Sequence, residues 1–378
     1  MHKFAFLLAC GLLTGSLFYL PVLAQQQPAT PLTSQELVRL VYQLPKHPEQ
    51  RDAVIEEIRR RGIGFELTEG MRGVVATKSG NDALLRRTLE EADRRRANPA
   101  GTAAMPPPAE AAQLLEQARK TALAVAGGLP DFVVKQLITR AQALGTTHSW
   151  TELDRLTVAV SYRESAGEQY KLLAVNGLPT GGGPERNDYE QAGGATTTGE
   201  FASRLLMLFQ DESQTQFRFA GTDTLRGHAT FIYEFTVSRK NSHERITYHG
   251  EDGDQTTGAG LRGRIWLDRE SARVLRGEFT TTEVEPSFPI QRVDRSVDYD
   301  WVEISDKKYL LPVQSEIVFT ELGTLTEYVP GTREKVTHKQ LYQARNLIRF
   351  RNYQKFGTEV KIIEEDDFPV EEPPKKPE

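Results

Sequence analysis

Residues 291–304 read "QRVDRSVDYDWVEI", and most of them alternate between apolar and polar. Val293, Val297 and Tyr299 fall on one side of an extended chain, and Arg292, Asp294, Ser296 and Asp298 on the other. A strand patterned with period two buries one face and leaves the other polar. The pattern recurs from about residue 132 to about residue 355, in phrases such as "HATFIYEFTVS", "GRIWLD", "RVLRGEFTTTEV" and "YLLPVQSEIVFTEL". Short turns separate these segments, so the strands read as an antiparallel meander. About ten one-sided strands cannot bury their apolar faces while flat, so the sheet must curve onto something.

Two helices are available as filling. Residues 109–126 ("EAAQLLEQARKTALAVAG") form a strongly helical run, and residues 199–210 ("GEFASRLLMLFQ") carry Phe201, Leu205, Leu208 and Phe209 around most of the girdle. A helix that is apolar nearly all round belongs in a core. The expected fold class is therefore α+β: a strongly curved antiparallel sheet, an open half-barrel, wrapped on helices and preceded by a small all-α module. Pro312 interrupts an otherwise continuous strand and is expected at a strand start or edge.

The all-α module spans residues 33–96. Thr33 and Glu36 have capping-box spacing, and Leu37, Leu40, Val41 and Leu44 follow at helical intervals. Residues 51–61 predict a second helix with Val54, Ile55 and Ile58 on one face, ended by Gly62. Val74 and Val75 lie in a third, weaker segment, and residues 82–96 give another helix. The phrases "LTSQELVRLV", "VIEEIRRRGIGFELT" and "GNDALLRRTLEEA" make the module similar to one that recurs at the N-terminus of otherwise unrelated exported bacterial proteins, a resemblance that implies no chemistry. Arg59–Arg60–Arg61 and Arg94–Arg95–Arg96 read as solvated helix ends, where cations complement the helix dipole; an anionic partner is the rival reading.

Residues 1–24 carry an early Lys3, a long apolar run and Ala24, the pattern of a cleaved export signal. A retained membrane anchor and a lipoprotein built on Cys10 are the alternatives. Cys10 is the only cysteine, so a chain cut after Ala24 has no disulfide and no thiolate chemistry. The expected location is periplasmic or secreted. Organisation then follows as signal peptide 1–24, linker 25–32, helical module 33–96, Pro/Ala-rich linker 97–108, sheet domain 109–360 and an acidic, disordered tail 361–378. A net charge of −5, from 47 basic and 52 acidic residues, argues against a nucleic-acid partner.

Chemical motifs are scarce. G-x-S-x-G, H-E-x-x-H, the P-loop and G-x-G-x-x-G are absent, and the glycines at 181–183 lack the lysine of a phosphate loop. His243, His249, Glu251, Asp252 and Asp254 are the strongest metal candidates but read as an ordinary hairpin loop, so no metal and no cofactor is expected. Asp294, Asp298 and Asp300 share a strand face, and two of them on alternate residues, Asp298 and Asp300, stand about 7 Å apart, within range of a glycosidase pair. Arg292 and Arg276 are placed to neutralise them across strands, which makes a solvated face the preferred reading.

The phrases "GRIWLDRESARVLRGEF" and "VDYDWVEISDKKYLLPVQSEIVF" make the sheet domain resemble the LolA/LolB-type lipoprotein-carrier superfamily, within a group of uncharacterised exported bacterial proteins, over roughly residues 125–355. The resemblance implies a half-open barrel lidded by helices, and a non-catalytic carrier holding an acyl chain or another amphipathic ligand. Its groove would be lined by Phe201, Leu205, Leu208, Phe209, Trp266, Leu275 and Phe279. The alternative is an envelope scaffold or sensor that meets a protein partner through the half-barrel and the helical module. A groove filled by the chain's own side chains would favour the second.

Overall fold

The computed structural model describes residues 30–99, 106–126, 129–145, 150–180, 189, 201, 203–250, 253–328 and 335–356. The export segment, the glycines at 181–183, Glu251, Asp252 and the acidic tail lie outside the described residues. No helix among the described residues is long and apolar enough to cross a membrane.

The architecture is α+β. Helices α1 (Ser34–Gln43), α2 (Arg51–Arg61), α3 (Glu69–Ser79) and α4 (Ala83–Ala97) precede the sheet, α5 (Pro108–Ala126) leads into it, and α6 (Ser203–Phe209) interrupts it. Thr33 and Glu36 form the expected capping box: the Glu36 amide donates to Thr33 Oγ1 at 3.2 Å and the Thr33 amide to Glu36 Oε2 at 2.8 Å. Gly62 ends α2 with φ +67°, a conformation a Cβ would strain. The weak segment around Val74 is helix α3, capped by the Thr68 hydroxyl. The helix expected over 199–210 is shorter among the described residues, since Gln210 turns extended (φ −70°, ψ 145°) after Phe209.

Eleven strands form one antiparallel sheet, open at both ends, in the order β4-β3-β2-β1-β13-β12-β11-β10-β9-β6-β5. In chain order they are β1 (Phe132–Leu144), β2 (Thr151–Arg163), β3 (Gly167–Val175), β4 (Leu178–Pro179), β5 (Gln216–Leu225), β6 (His228–Val237), β9 (Gly260–Asp268), β10 (Val274–Thr282), β11 (Ile290–Ile304), β12 (Lys307–Tyr328) and β13 (Lys335–Lys355). Strands β7 (Arg245–Gly250) and β8 (Gly253–Gly258) pair separately as a hairpin. The last strand returns beside the first, from Phe132↔Lys355 to Leu144↔Tyr342. That closure places β9–β13 in the interior of the sheet, each paired on both sides.

Alternation gives the sheet two unlike faces. On the apolar face Phe231, Tyr233, Phe235, Ile265, Leu267 and Val297 pack against Ala111, Leu114 and Ala118 of α5 and Leu208 and Phe209 of α6. Farther along, Phe132, Val134, Ile138, Val158, Ile317 and Ile348 form a second cluster around Phe201, whose ring stands 5.4 Å from those of Phe132 and Phe350. Each such side chain contributes about 1.5–3 kcal/mol by leaving water. The Tyr233 hydroxyl donates to the Ala111 carbonyl at 2.7 Å and pins α5 to the sheet. Burial, with the Glu110 charge, raises its pKa, so it remains a donor.

Pro312 lies inside β12, paired with Tyr299 at a register shift. The β12–β13 ladder begins only at Gln314↔Arg349, so toward β13 Pro312 sits beyond the paired segment and needs no N–H. The Tyr353 hydroxyl donates to its carbonyl at 2.6 Å.

Gly263 is where β9 admits the Phe235 and Phe279 rings, 5.5 Å apart, from the neighbouring strands. A Cβ there would collide with the Glu278 carbonyl oxygen and stand 2.6 Å from the Phe235 ring. Gly263→Ala is expected to lower stability by about 3 kcal/mol, the upper end for overpacking, measured as a shift in urea midpoint. An unchanged midpoint would mean the close approach is not real.

Candidate functional site: the seam between the helical module and the sheet

The proposed groove residues divide between the two faces. Phe201, Leu208, Phe209 and Phe279 are buried on the apolar face, with Leu205 partly buried beside them. Trp266 and Leu275 are not there. Trp266 points to the polar face by alternation, and a register shift between Val274 and Arg276 sends Leu275 after it. Both join Leu225 and Ile232 in a small separate cluster. The space left between α5, α6 and β10–β12, bounded by Ala118, Phe201, Leu205, Val274 and Tyr299, is about 60 Å³. Beside it is a more open depression of about 380 Å³, where Arg273 and Lys308 are among the lining residues.

The polar face carries the larger construction. Helical periodicity places Leu84, Arg87, Glu91 and Arg94 along one stripe of α4, opposite the stripe Leu85, Leu89 and Ala92 that enters the module's own core. The charged stripe lies on the sheet. Arg87 donates to Glu278 at 3.2 Å and to Glu316 at 3.0 Å, and Arg94 to Asp223 at 2.8 Å. Arg264 of β9 donates to Glu91 at 3.0 Å, with the two side chains only 4% and 3% exposed. From α2, Arg59 reaches Glu278 at 3.3 Å, while Asp52 accepts from Arg292 at 2.8 Å and Arg262 at 2.9 Å. Among the described residues, the module's buried apolar cluster contains no sheet residue, so the seam is held by charge.

Trp266 belongs to this seam. Its Nε1 donates to Asp223 Oδ2 at 3.2 Å, on the carboxylate that also takes Arg94, and Arg264 lies over its ring at 5.3 Å. Arg59 and Arg94, expected as solvated helix ends, are thus sheet contacts; Arg60 stays exposed and pairs with Glu57 on its own helix.

Charge burial has its usual consequences. Burial pushes the Glu91 carboxyl up, but Arg264, Arg95, Arg59 and Arg94 outweigh it, and its pKa is lowered. Burial likewise opposes ionisation of Asp52, yet Arg292, Arg51 and Arg262 hold it down at about 2. Arg87 and Arg264 lose hydration, but the carboxylates around them keep both charged.

Asp294 and Asp298 are neutralised by arginines as their strand positions suggested, but on a face covered by the module and not the solvated one expected, with side chains 17% and 19% exposed. Arg292 donates to Asp294 at 2.8 Å, Arg51 stands 3.6 Å from it, and Arg276 donates to Asp298 at 2.7 Å. His249 contacts Asp254 at 2.7 Å across the β7–β8 hairpin, and no group of metal-ligating side chains is found among the described residues. Sequence reasoning did not connect Arg87, Glu91 and Arg94. Their i, i+4, i+7 spacing opposite an apolar stripe was the available signal.

No family profile matches the chain, and no curated protein has a similar sequence. Among solved structures, a DUF1329 family protein from Desulfovibrio piger is similar over 66% of this chain and 94% of its own, with 9% identity and a TM-score of 0.29. A likeness that slight extends neither a fold nor a function to this chain.

Because docking lowers the Asp52 and Glu91 pKa values, their contribution is complete above the ordinary carboxyl range and falls away as the pH drops below it, with that of Asp52 gone only once the pH passes below about 2. Small-angle X-ray scattering between pH 7 and pH 1.5 should show the radius of gyration increasing while the far-ultraviolet circular dichroism of the sheet persists. An unchanged radius at pH 1.5 would show that these carboxylates do not hold the module.

Proposed function

We propose that the protein is a non-catalytic binding or scaffold protein of the bacterial envelope, exported by its N-terminal apolar segment. The helix-covered face of its sheet serves as core, and the module-bearing face is the interaction surface. The observation that carries this reading is volume. The slot enclosed by α5 and α6 holds about 60 Å³, against the roughly 300–1,000 Å³ of a small-molecule pocket, and the roughly 380 Å³ beside it is a depression open to solvent at the end of α5. Phe201, Leu208, Phe209 and Phe279, placed to line a groove, fill the core instead. The open antiparallel sheet is compatible with the half-barrel of the carrier superfamily; in this reading the same frame is used without an open cavity.

The carrier reading is second, and one feature favours it. The apolar slot lies beside a depression with Arg273 and Lys308 among its lining residues, a suitable mouth for an acyl carboxylate. The lid above the slot is thin, since α5 meets the sheet partly through Ala111 and Ala118.

Titration of the purified protein with an anthroyloxy-labelled stearate, together with native mass spectrometry, separates the two. The scaffold reading expects no co-purified lipid and no saturable binding. Stoichiometric binding that Leu205→Trp abolishes would establish the carrier instead.

A further inference from the structure

The seam is not fully packed. Between the module and strands β10–β13 lies a cavity of about 370 Å³. Its floor is the polar face of the sheet, including Thr280, Asp294, Glu316, Thr320 and Gln343. The module supplies the other wall, with Leu44, Pro48, Arg51, Asn81 and Arg87 among its residues. Trp150, just before β2, also lines it and stacks on Arg345 of β13, 4.7 Å from ring centroid to guanidinium carbon.

The chemistry of the wall narrows what can enter. Arg51 is paired with Asp82 and Asp294, Arg87 with Glu278 and Glu316, and Arg292 with Asp52 and Asp294. Of the other lining cations, Arg295 faces Glu244 and Lys78 lies over the Tyr42 ring, so the net field left to select an ion is small. An acyl chain is disfavoured because it would desolvate these groups without replacing their hydrogen bonds. A peptide backbone has no strand edge to join, because β10–β13 are paired on both sides and offer only their faces. The remaining class combines neutral hydrogen-bonding groups with an apolar face. Flat amide, carboxylate and guanidinium groups suit vicinal hydroxyls, and an indole suits the C–H face of a sugar ring.

One group independently asks for such a donor. Gln343 is 6% exposed, and its Nε2 donates to Thr320 Oγ1 at 3.3 Å, but its buried Oε1 has no partner. Gln343 lines the cavity, and its covered, unmatched acceptor is relieved when the amide turns toward a ligand hydroxyl there.

We propose that this cavity is a binding site for a neutral saccharide, seated against Trp150 and accepted by Gln343, between the helical module and the sheet. The proposal rests on the reading above only in taking the module-bearing face as the working one. Lipid binding tests that reading, and sugar binding tests this site.

The experiment is a glycan array of mono- and disaccharides containing hexoses, N-acetylhexosamines and uronic acids, probed with the full exported chain. Isothermal titration follows with the strongest disaccharide. Binding of one or more neutral sugars is expected. Trp150→Ala and Gln343→Leu should each weaken it about tenfold, with the circular dichroism spectrum retained. Trp301→Ala, at an exposed tryptophan that does not line the cavity, should leave it unchanged. Three results would overturn the proposal: no binding on the array, binding confined to uronic acids, or affinities in Trp150→Ala and Gln343→Leu within twofold of the unaltered protein.

Discussion

A guanidinium cannot be buried alone. Arg264 stands in the middle of a central strand, almost wholly covered, and its charge is tolerated because Glu91 arrives from α4 at 3.0 Å. Removing one member of such a pair costs about 3–5 kcal/mol, because the other stays buried without compensation. This requirement propagates outward. Placing Glu91 over Arg264 brings Arg87 onto Glu278 and Glu316 and Arg94 onto Asp223, and Asp223 in turn holds the Trp266 indole. The position of a whole helical module is fixed by which charges have to meet.

The two faces of the sheet solve different problems. The apolar face is covered by α5, α6 and the aromatic group around Phe201, and little space is left beneath them. The polar face is covered by a module with a core of its own, through ion pairs that are directional and leave gaps. Side chains that pack by shape close their interface, whereas paired charges hold two bodies at a distance set by hydrogen-bond length. The seam therefore keeps a cavity of about 370 Å³ among its paired charges, and the working surface is assigned to that face.

Local rules made much of this legible in the sequence. The period-two alternation around Val293 and Tyr299 identified a one-sided strand, the Thr33–Glu36 spacing a helix start, and Gly62 a helix end. What failed to show was long-range or sub-register. Leu275 keeps company with Trp266 only because β10 slips register between Val274 and Arg276, a shift with no marker in composition. Pro312 sits inside an interior strand because the neighbouring ladder starts two residues later. Arg59 and Arg94 read as helix-end cations because their partners, Glu278 and Asp223, lie 219 and 129 residues away. Pairing at that separation is decided by the fold.

A double-mutant cycle on Glu91→Gln and Arg264→Met, read by urea unfolding, tests the seam most directly. If the module is seated by paired buried charge, the two substitutions will couple by about 2 kcal/mol or more, and the double variant will be more stable than additivity allows. A coupling energy below about 0.5 kcal/mol would mean the two changes act independently, and the pair does not hold the module on the sheet.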